Sequence, residues 1–150
     1  MSETEYLPRV VAWELTKKCN LACVHCRGSS EWLEYAGELT TAECLAQVAE
    51  LAQLGKPMLI LTGGEPLMRE DLFDIIGYTI GQGMRVVVAT NGTLVTPEIA
   101  GRLKAVGVPR ISVSLDFPTA EAHDAFRGQT GAFEGTVRGA QRALAAARCR

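Results

Sequence analysis

Three cysteines, Cys19, Cys23 and Cys26, stand at a C-x3-C-x2-C spacing just after a short apolar run. Thiols this close together in a reducing compartment usually hold metal rather than pair as disulfides. Three thiolates are one short of the four that a closed zinc site or a fully protein-ligated iron–sulfur cubane requires. A [4Fe–4S] cluster held by these residues would keep one iron open to a non-protein ligand. Two rival chemistries use the same stretch. His25, between Cys23 and Cys26, would complete a Cys3His zinc site, although ring and thiolates would compete for geometry there. A ferredoxin-like carrier would need a fourth cysteine nearby. The other two, Cys44 and Cys149, fall in an expected helix and at the chain end.

The remaining chemistry-bearing residues come after apolar runs. Gly63-Gly64-Glu65-Pro66 closes one run: two glycines let a ligand approach the backbone, Pro66 fixes the exit, and Glu65 offers a carboxylate suited to a ligand ammonium. Thr90-Asn91-Gly92 closes the next, where Asn-Gly by itself is only a turn signal. In the run Ile111 to Asp116, Ile111, Val113 and Leu115 face one way, and Ser112, Ser114 and Asp116 the other. A strand buried on both faces would be apolar throughout, so the polar face points to a wet, ligand-filled interior. His123, in His123-Asp124-Ala125-Phe126-Arg127-Gly128, is expected at the surface or capping a helix rather than in catalysis. Glu14 and Thr16 are expected either to face the interior or to serve the cysteine loop's backbone. Trp32, Leu33 and Tyr35 would either cover the metal site or pack on the barrel edge, the latter being expected; Trp13 and Phe133 are expected in the core.

The elements that must position these residues alternate strand and helix. Strands are expected over Val10–Thr16, Met58–Thr62, Met84–Thr90 and Arg110–Asp116. The first helix opens on a capping box, Thr40 with Glu43, continues through Leu45, Val48, Ala49 and Ala52, and ends at Gly55 and Pro57. A second runs through Leu72 to Ile80 and stops at Gly81 and Gly83. A third starts at Thr96-Pro97 as N-cap and first residue. A fourth carries Phe133, Val137, Ala140 and Leu144 on its inner face. Such alternation means βαβ units and a parallel sheet, an α/β fold. Every motif above falls at a strand's C-terminal end, the face on which parallel barrels build their sites.

The 150 residues suffice for one domain with a real core, and 47% are hydrophobic. A net charge of −2 gives no support for nucleic-acid or anionic-membrane binding. No apolar run reaches transmembrane length, and Met1 to Arg9 has no signal-peptide pattern, so a cytoplasmic protein is expected.

The cysteine spacing, with Gly63-Gly64-Glu65-Pro66 one βα unit later, resembles the radical S-adenosylmethionine (radical SAM) enzymes, whose GGEP motif it matches residue for residue. The likeness covers roughly residues 9 to 144. It implies a partial parallel (βα) barrel of the radical SAM type, with about four βα units present. It implies Cys19, Cys23 and Cys26 as ligands of a [4Fe–4S] cluster whose open iron is chelated by the SAM amino and carboxylate groups. An electron then cleaves SAM to methionine and a 5′-deoxyadenosyl radical, which takes hydrogen from substrate. The same resemblance implies that Gly63, Gly64, Glu65 and Pro66 bind the SAM amino group, and that Thr90 and Asn91 line the SAM or substrate site. Ser114 would contact the SAM carboxylate or ribose. Asp116 would do similar work or cap the next segment of chain. His25 stands where the family often has an aromatic residue beside adenine. No catalytic residue is assigned.

Val11 to Thr16, Gly55-Lys56-Pro57 and Ala125-Phe126-Arg127-Gly128 are most similar to the haem-biosynthesis branch, which acts on tetrapyrrole side chains. The implied reaction is oxidative decarboxylation of iron-coproporphyrin propionates. Peptide-maturing members share nearly all the motifs and stand second. A non-enzymatic iron–sulfur or zinc module, or an inactive fragment, is the reading from another class. An electron donor such as flavodoxin or ferredoxin is implied, with no nucleic-acid or membrane partner. Family cores have more βα units than these four, so residues 1–150 are expected to be the N-terminal part of the core domain, without an auxiliary-cluster domain.

Overall fold

A computed structural model describes residues 7–30, 32 and 35–148. Leu33 and Cys149 therefore lie outside the described residues, as does most of the Met1–Arg9 segment. The elements run β1 (Val10–Glu14), α1 (Thr41–Gln53), β2 (Met58–Thr62), a 3-10 turn (Pro66–Met68), α2 (Leu72–Gly81), β3 (Val86–Thr90), α3 (Pro97–Ala105), β4 (Arg110–Val113), α4 (Ala120–Arg127) and α5 (Ala132–Arg148). The four strands form one parallel sheet in the order β1-β2-β3-β4. Sequential strands are neighbours because each helix carries the chain back across one face, which is the βαβ rule.

Local signals set most boundaries. Thr40 caps α1 with a complete capping box to Glu43, and the Thr96 hydroxyl accepts from Ile99 N at the start of α3. Three strands are shorter than expected. β1 ends at Glu14, since Thr16 turns its hydroxyl to Glu38 and to Lys18 N. β3 begins only at Val86, because Met84 N still bonds back to Thr79 O at the exit of α2. β4 ends at Val113, and Leu115, expected on the apolar face, is exposed.

The core sits on one face of the sheet. Leu59 and Leu61 of β2 and Val86 and Val88 of β3 meet Val48 of α1, Leu72, Ile75 and Ile76 of α2 and Leu103 of α3, all buried. Each such side chain contributes about 1.5–3 kcal/mol by leaving water. Trp13 packs partly buried against this cluster, and Phe133 meets His123 edge-on. Opposite residues of the same strands, Glu14, Thr62 and Ala89, line a cavity instead. Strand alternation thus separates core from site.

The sequence missed α4. No helix was expected between Asp116 and Phe133, yet Thr119 caps one there and Gly128 ends it in the left-handed region (φ 68°). The buried stripe of α5 is also not the expected one. Ala132, Thr136 and Gly139 face inward, whereas Leu144 is exposed. These small residues let α5 approach the Asn91-Gly92 turn: a Cβ on Gly139 would overlap Gly92 O, and the Thr136 hydroxyl donates to Asn91 O at 2.8 Å. Among the described residues, no helix is long and apolar enough to cross a membrane.

Candidate functional site

The C-terminal ends of all four strands converge on one cavity of about 280 Å³. Cys19, Cys23 and Cys26 line it, together with Glu14, His25, Arg27, Gly63, Gly64, Thr90, Asn91, Ser114 and Arg127. The three cysteines are free thiols. Each sulfur has an N–H donor: Leu21 N to Cys19 (3.4 Å), an Arg127 guanidinium nitrogen to Cys23 (3.6 Å) and Ser30 N to Cys26 (3.4 Å). Hydrogen bonds from the Ser30 hydroxyl and backbone hold the Cys26 thiol below its usual range, while burial pushes Cys19 up. This donor set fits thiolates that share a polynuclear cluster, since N–H···S bonds offset the charge that thiolates bring. Among the described residues, no three His, Cys, Asp or Glu side chains form a ready-made metal centre, the three cysteines and His25 included. His25 is stacked on Phe126, centroids 4.0 Å apart and planes 10° apart. The residue is otherwise exposed and lines the cavity.

The Gly63–Pro66 segment does two jobs. Gly64 N donates to Thr16 O (2.6 Å) and Glu65 N to Lys18 O (2.8 Å), so the segment is stitched to the backbone that leads into the cysteines. A Cβ on Gly63 would strike Thr16 O, and one on Gly64 would strike the carbonyls of Lys17 and Lys18. The glycines were expected to make room for a ligand. Gly63 and Gly64 line the cavity, but what first requires them is the chain's own close approach.

The Glu65 side chain is occupied within the protein. Its carboxylate does not reach into the cavity as a free partner for an ammonium. It is fully buried, accepting from the Thr90 hydroxyl (2.8 Å), Asn91 N (2.8 Å) and Leu67 N (3.1 Å). Burial pushes this carboxyl upward against those three donors. Glu65 therefore ties the β2 loop to the β3 loop. Pro66, also buried, opens the 3-10 turn behind the cavity wall.

Thr90 and Asn91 line the cavity but spend their side chains on loop closure. Asn91 bonds to Asn20 of the cysteine loop (2.9 Å), Asn20 to Thr93 (2.8 Å), and Thr93 back to Asn91 (2.7 Å). Ser114 lies on the wall with its backbone N held by Thr90 O (3.1 Å). Asp116 is displaced from the cavity and grips Arg127 through Nε (2.7 Å) and Nη2 (2.6 Å). It is a partner of a cavity residue, not a cavity residue. His123 is not at the surface: it is fully buried in α4, its Nδ1 accepting from Asp116 N at 3.4 Å. Glu14 faces the cavity, while Thr16 serves the loop backbone through Lys18 N. Trp32 and Tyr35 are exposed, with Lys17 Nζ 4.3 Å above the Tyr35 ring.

Two groups had no assigned role in the sequence. Arg127 closes the cavity's far side from α4, 104 residues along the chain from Cys23. Arg69 clamps the outside of the loops, bonding to Asp71 (2.6 Å), Leu15 O (2.7 Å) and Leu39 O (2.8 Å). A cysteine motif with an unexplained arginine downstream was the available signal for the first. Nothing local marked the second.

The model of the "Radical SAM superfamily" matches residues 13–148. An AdoMet-dependent heme synthase of Methanosarcina barkeri is 59% identical over 132 residues, covering 88% of this chain and 38% of its own. A mycofactocin maturase, MftC, of Mycobacterium tuberculosis is 42% identical over 139 residues, covering 93% and 35%. The chain thus spans little more than a third of the length of these curated relatives. Among solved structures, native anSMEcpe with bound AdoMet superposes with a TM-score of 0.74 at 21% identity, over 92% of this chain and 41% of that one, a likeness of fold.

Proposed function

This chain belongs to the radical SAM superfamily, and on that premise we propose that its cavity holds a [4Fe–4S] cluster on Cys19, Cys23 and Cys26 with SAM beside it. The family's enzymes use this pair. The observation that supports this reading is that three N–H-bonded cysteine sulfurs line the same cavity as Gly63, Gly64 and Ser114. When bound, cluster and SAM together supply one-electron cleavage and hydrogen abstraction. This chain's residues do the placing. Gly64 presents backbone at the cavity, Ser114 offers a hydroxyl to the carboxylate or ribose, and His25 offers a ring face to the adenine. Glu65, Asn20, Asn91 and Thr93 fix the loops against one another.

For the whole protein we propose oxidative decarboxylation of iron-coproporphyrin propionates in haem formation, with a flavodoxin or ferredoxin as electron donor. The 59% identity to a protein named AdoMet-dependent heme synthase supports this reading over the peptide-maturing one, where identity is 42%. These residues would form the N-terminal part of its core domain.

The test uses the full-length protein, reduced anaerobically with SAM. Iron-coproporphyrin should yield 5′-deoxyadenosine in step with vinyl-bearing product, both measured by mass spectrometry. Turnover with a precursor peptide alone would transfer the protein to the maturases. No SAM cleavage with either would leave a binding module.

A further inference from the structure

The C-terminal end of α4 grips the cysteine loop around Cys23. Ala22 N donates to Arg127 O (3.2 Å) and Val24 N to Phe126 O (3.0 Å), so the residues on either side of Cys23 are pinned. Gly128 is left-handed, and a Cβ there would overlap Ala22 O, so the helix end lies directly on the loop. Phe126 stacks on His25. Within this grip the Arg127 side chain, 9% exposed, turns one guanidinium nitrogen to Cys23 Sγ at 3.6 Å. Its other two nitrogens are both fixed on Asp116 Oδ2. Behind Asp116 stands His123, fully buried, its Nδ1 3.7 Å from the same carboxylate oxygen and its Nε2 without a hydrogen-bond partner.

We propose that Arg127 is a positioning residue that sets the reduction potential of the cluster through a directed N–H···S bond to Cys23. The inference rests on the proposed cluster ligation. Asp116 balances the guanidinium charge, so what reaches the sulfur is chiefly an oriented N–H dipole. Such a dipole favours the reduced, more negative cluster, because hydrogen bonds to the ligand sulfurs are a principal lever on iron–sulfur potentials. His123 keeps Asp116 in place by accepting its backbone N–H, and Asp116 keeps the fork of Arg127 aimed. A planar, five-donor fork can hold a carboxylate and a sulfur at once, which a lysine ammonium on a flexible stem does not do with the same geometry.

The experiment is a redox titration of the reconstituted full-length protein, read by EPR, beside iron analysis. Arg127→Met with full iron should reduce the reduced-to-oxidised ratio at fixed potential at least tenfold, which is about 59 mV for a one-electron couple. Arg127→Lys should recover less than half of that shift. An unchanged midpoint in the Met variant at full iron overturns the inference, and so does complete recovery by Lys. If the Met variant takes up no iron, the wild-type protein decides. With arginine labelled by 15N in the guanidinium, the reduced cluster should show a 15N coupling that Arg127→Lys loses; absence of that coupling overturns the inference. Failure of the ligation reading is separate, since wild type would then bind no cluster.

Discussion

Anaerobic reconstitution of the full-length protein should load about four irons per core cluster, and Cys19→Ala, Cys23→Ala or Cys26→Ala should each lose most of them. A protein-held cubane with three thiolates has no spare ligand, so removing one leaves two open irons. The geometry offers no substitute. Cys44, the other described cysteine, is buried in the core, where it meets Arg69 Nη2 at 3.5 Å and Leu39 O, on the outer side of the loops. The losses should be equal in extent although the three sulfurs differ in exposure, Cys19 buried and Cys26 exposed. If an alanine variant at any one of the three keeps its full iron, that cysteine is not a ligand.

The second large effect is structural and does not involve the cluster. Glu65→Ala should destabilise the fold by about 3 kcal/mol or more, since orphaned buried donors cost about 1–3 kcal/mol each and water re-enters only in part. The donors are the Thr90 hydroxyl, Asn91 N and Leu67 N. Glu65→Gln should cost less, because the amide keeps the shape but turns its NH2 group toward one of those N–H groups. Both changes should be read by urea unfolding of the cluster-free protein. The pH dependence has a definite sign. Burial raises the Glu65 carboxyl above its unfolded value, so the folded state keeps the proton to higher pH. That contribution is full below the unfolded pKa and is lost as pH rises through the folded one. Glu65→Gln should abolish this component. A Glu65→Ala variant as stable as wild type would mean that the β2–β3 loop tie carries no weight.

Glu65 also shows where sequence reading stopped. The motif, its place after a strand and its nearness to the cysteines were all legible, because glycine pairs and a strand's apolar run are local signals. Whether the carboxylate met a ligand or the chain's own backbone depended on residues 25 positions away, at Thr90. The same holds for Asp116, whose partner Arg127 lies 11 residues on, in a helix the sequence reading did not draw. The capping box and the parallel sheet were recoverable, since each arises from neighbours or from one connection rule. The long-range ties, Asn20 to Asn91 and Arg127 to Cys23, join segments that no periodicity links.

On the proposed function, one cavity places SAM against a cluster held by Cys19, Cys23 and Cys26. The most direct measurement is the EPR spectrum of the reduced full-length protein during a SAM titration, with Ser114→Ala in parallel. Wild type should show a saturable change in g values as SAM reaches the open iron. Ser114→Ala, losing one hydrogen bond worth about 1 kcal/mol, should need several-fold more SAM for the same change. A reduced cluster whose spectrum does not respond to SAM in the wild-type protein would rule out that placement.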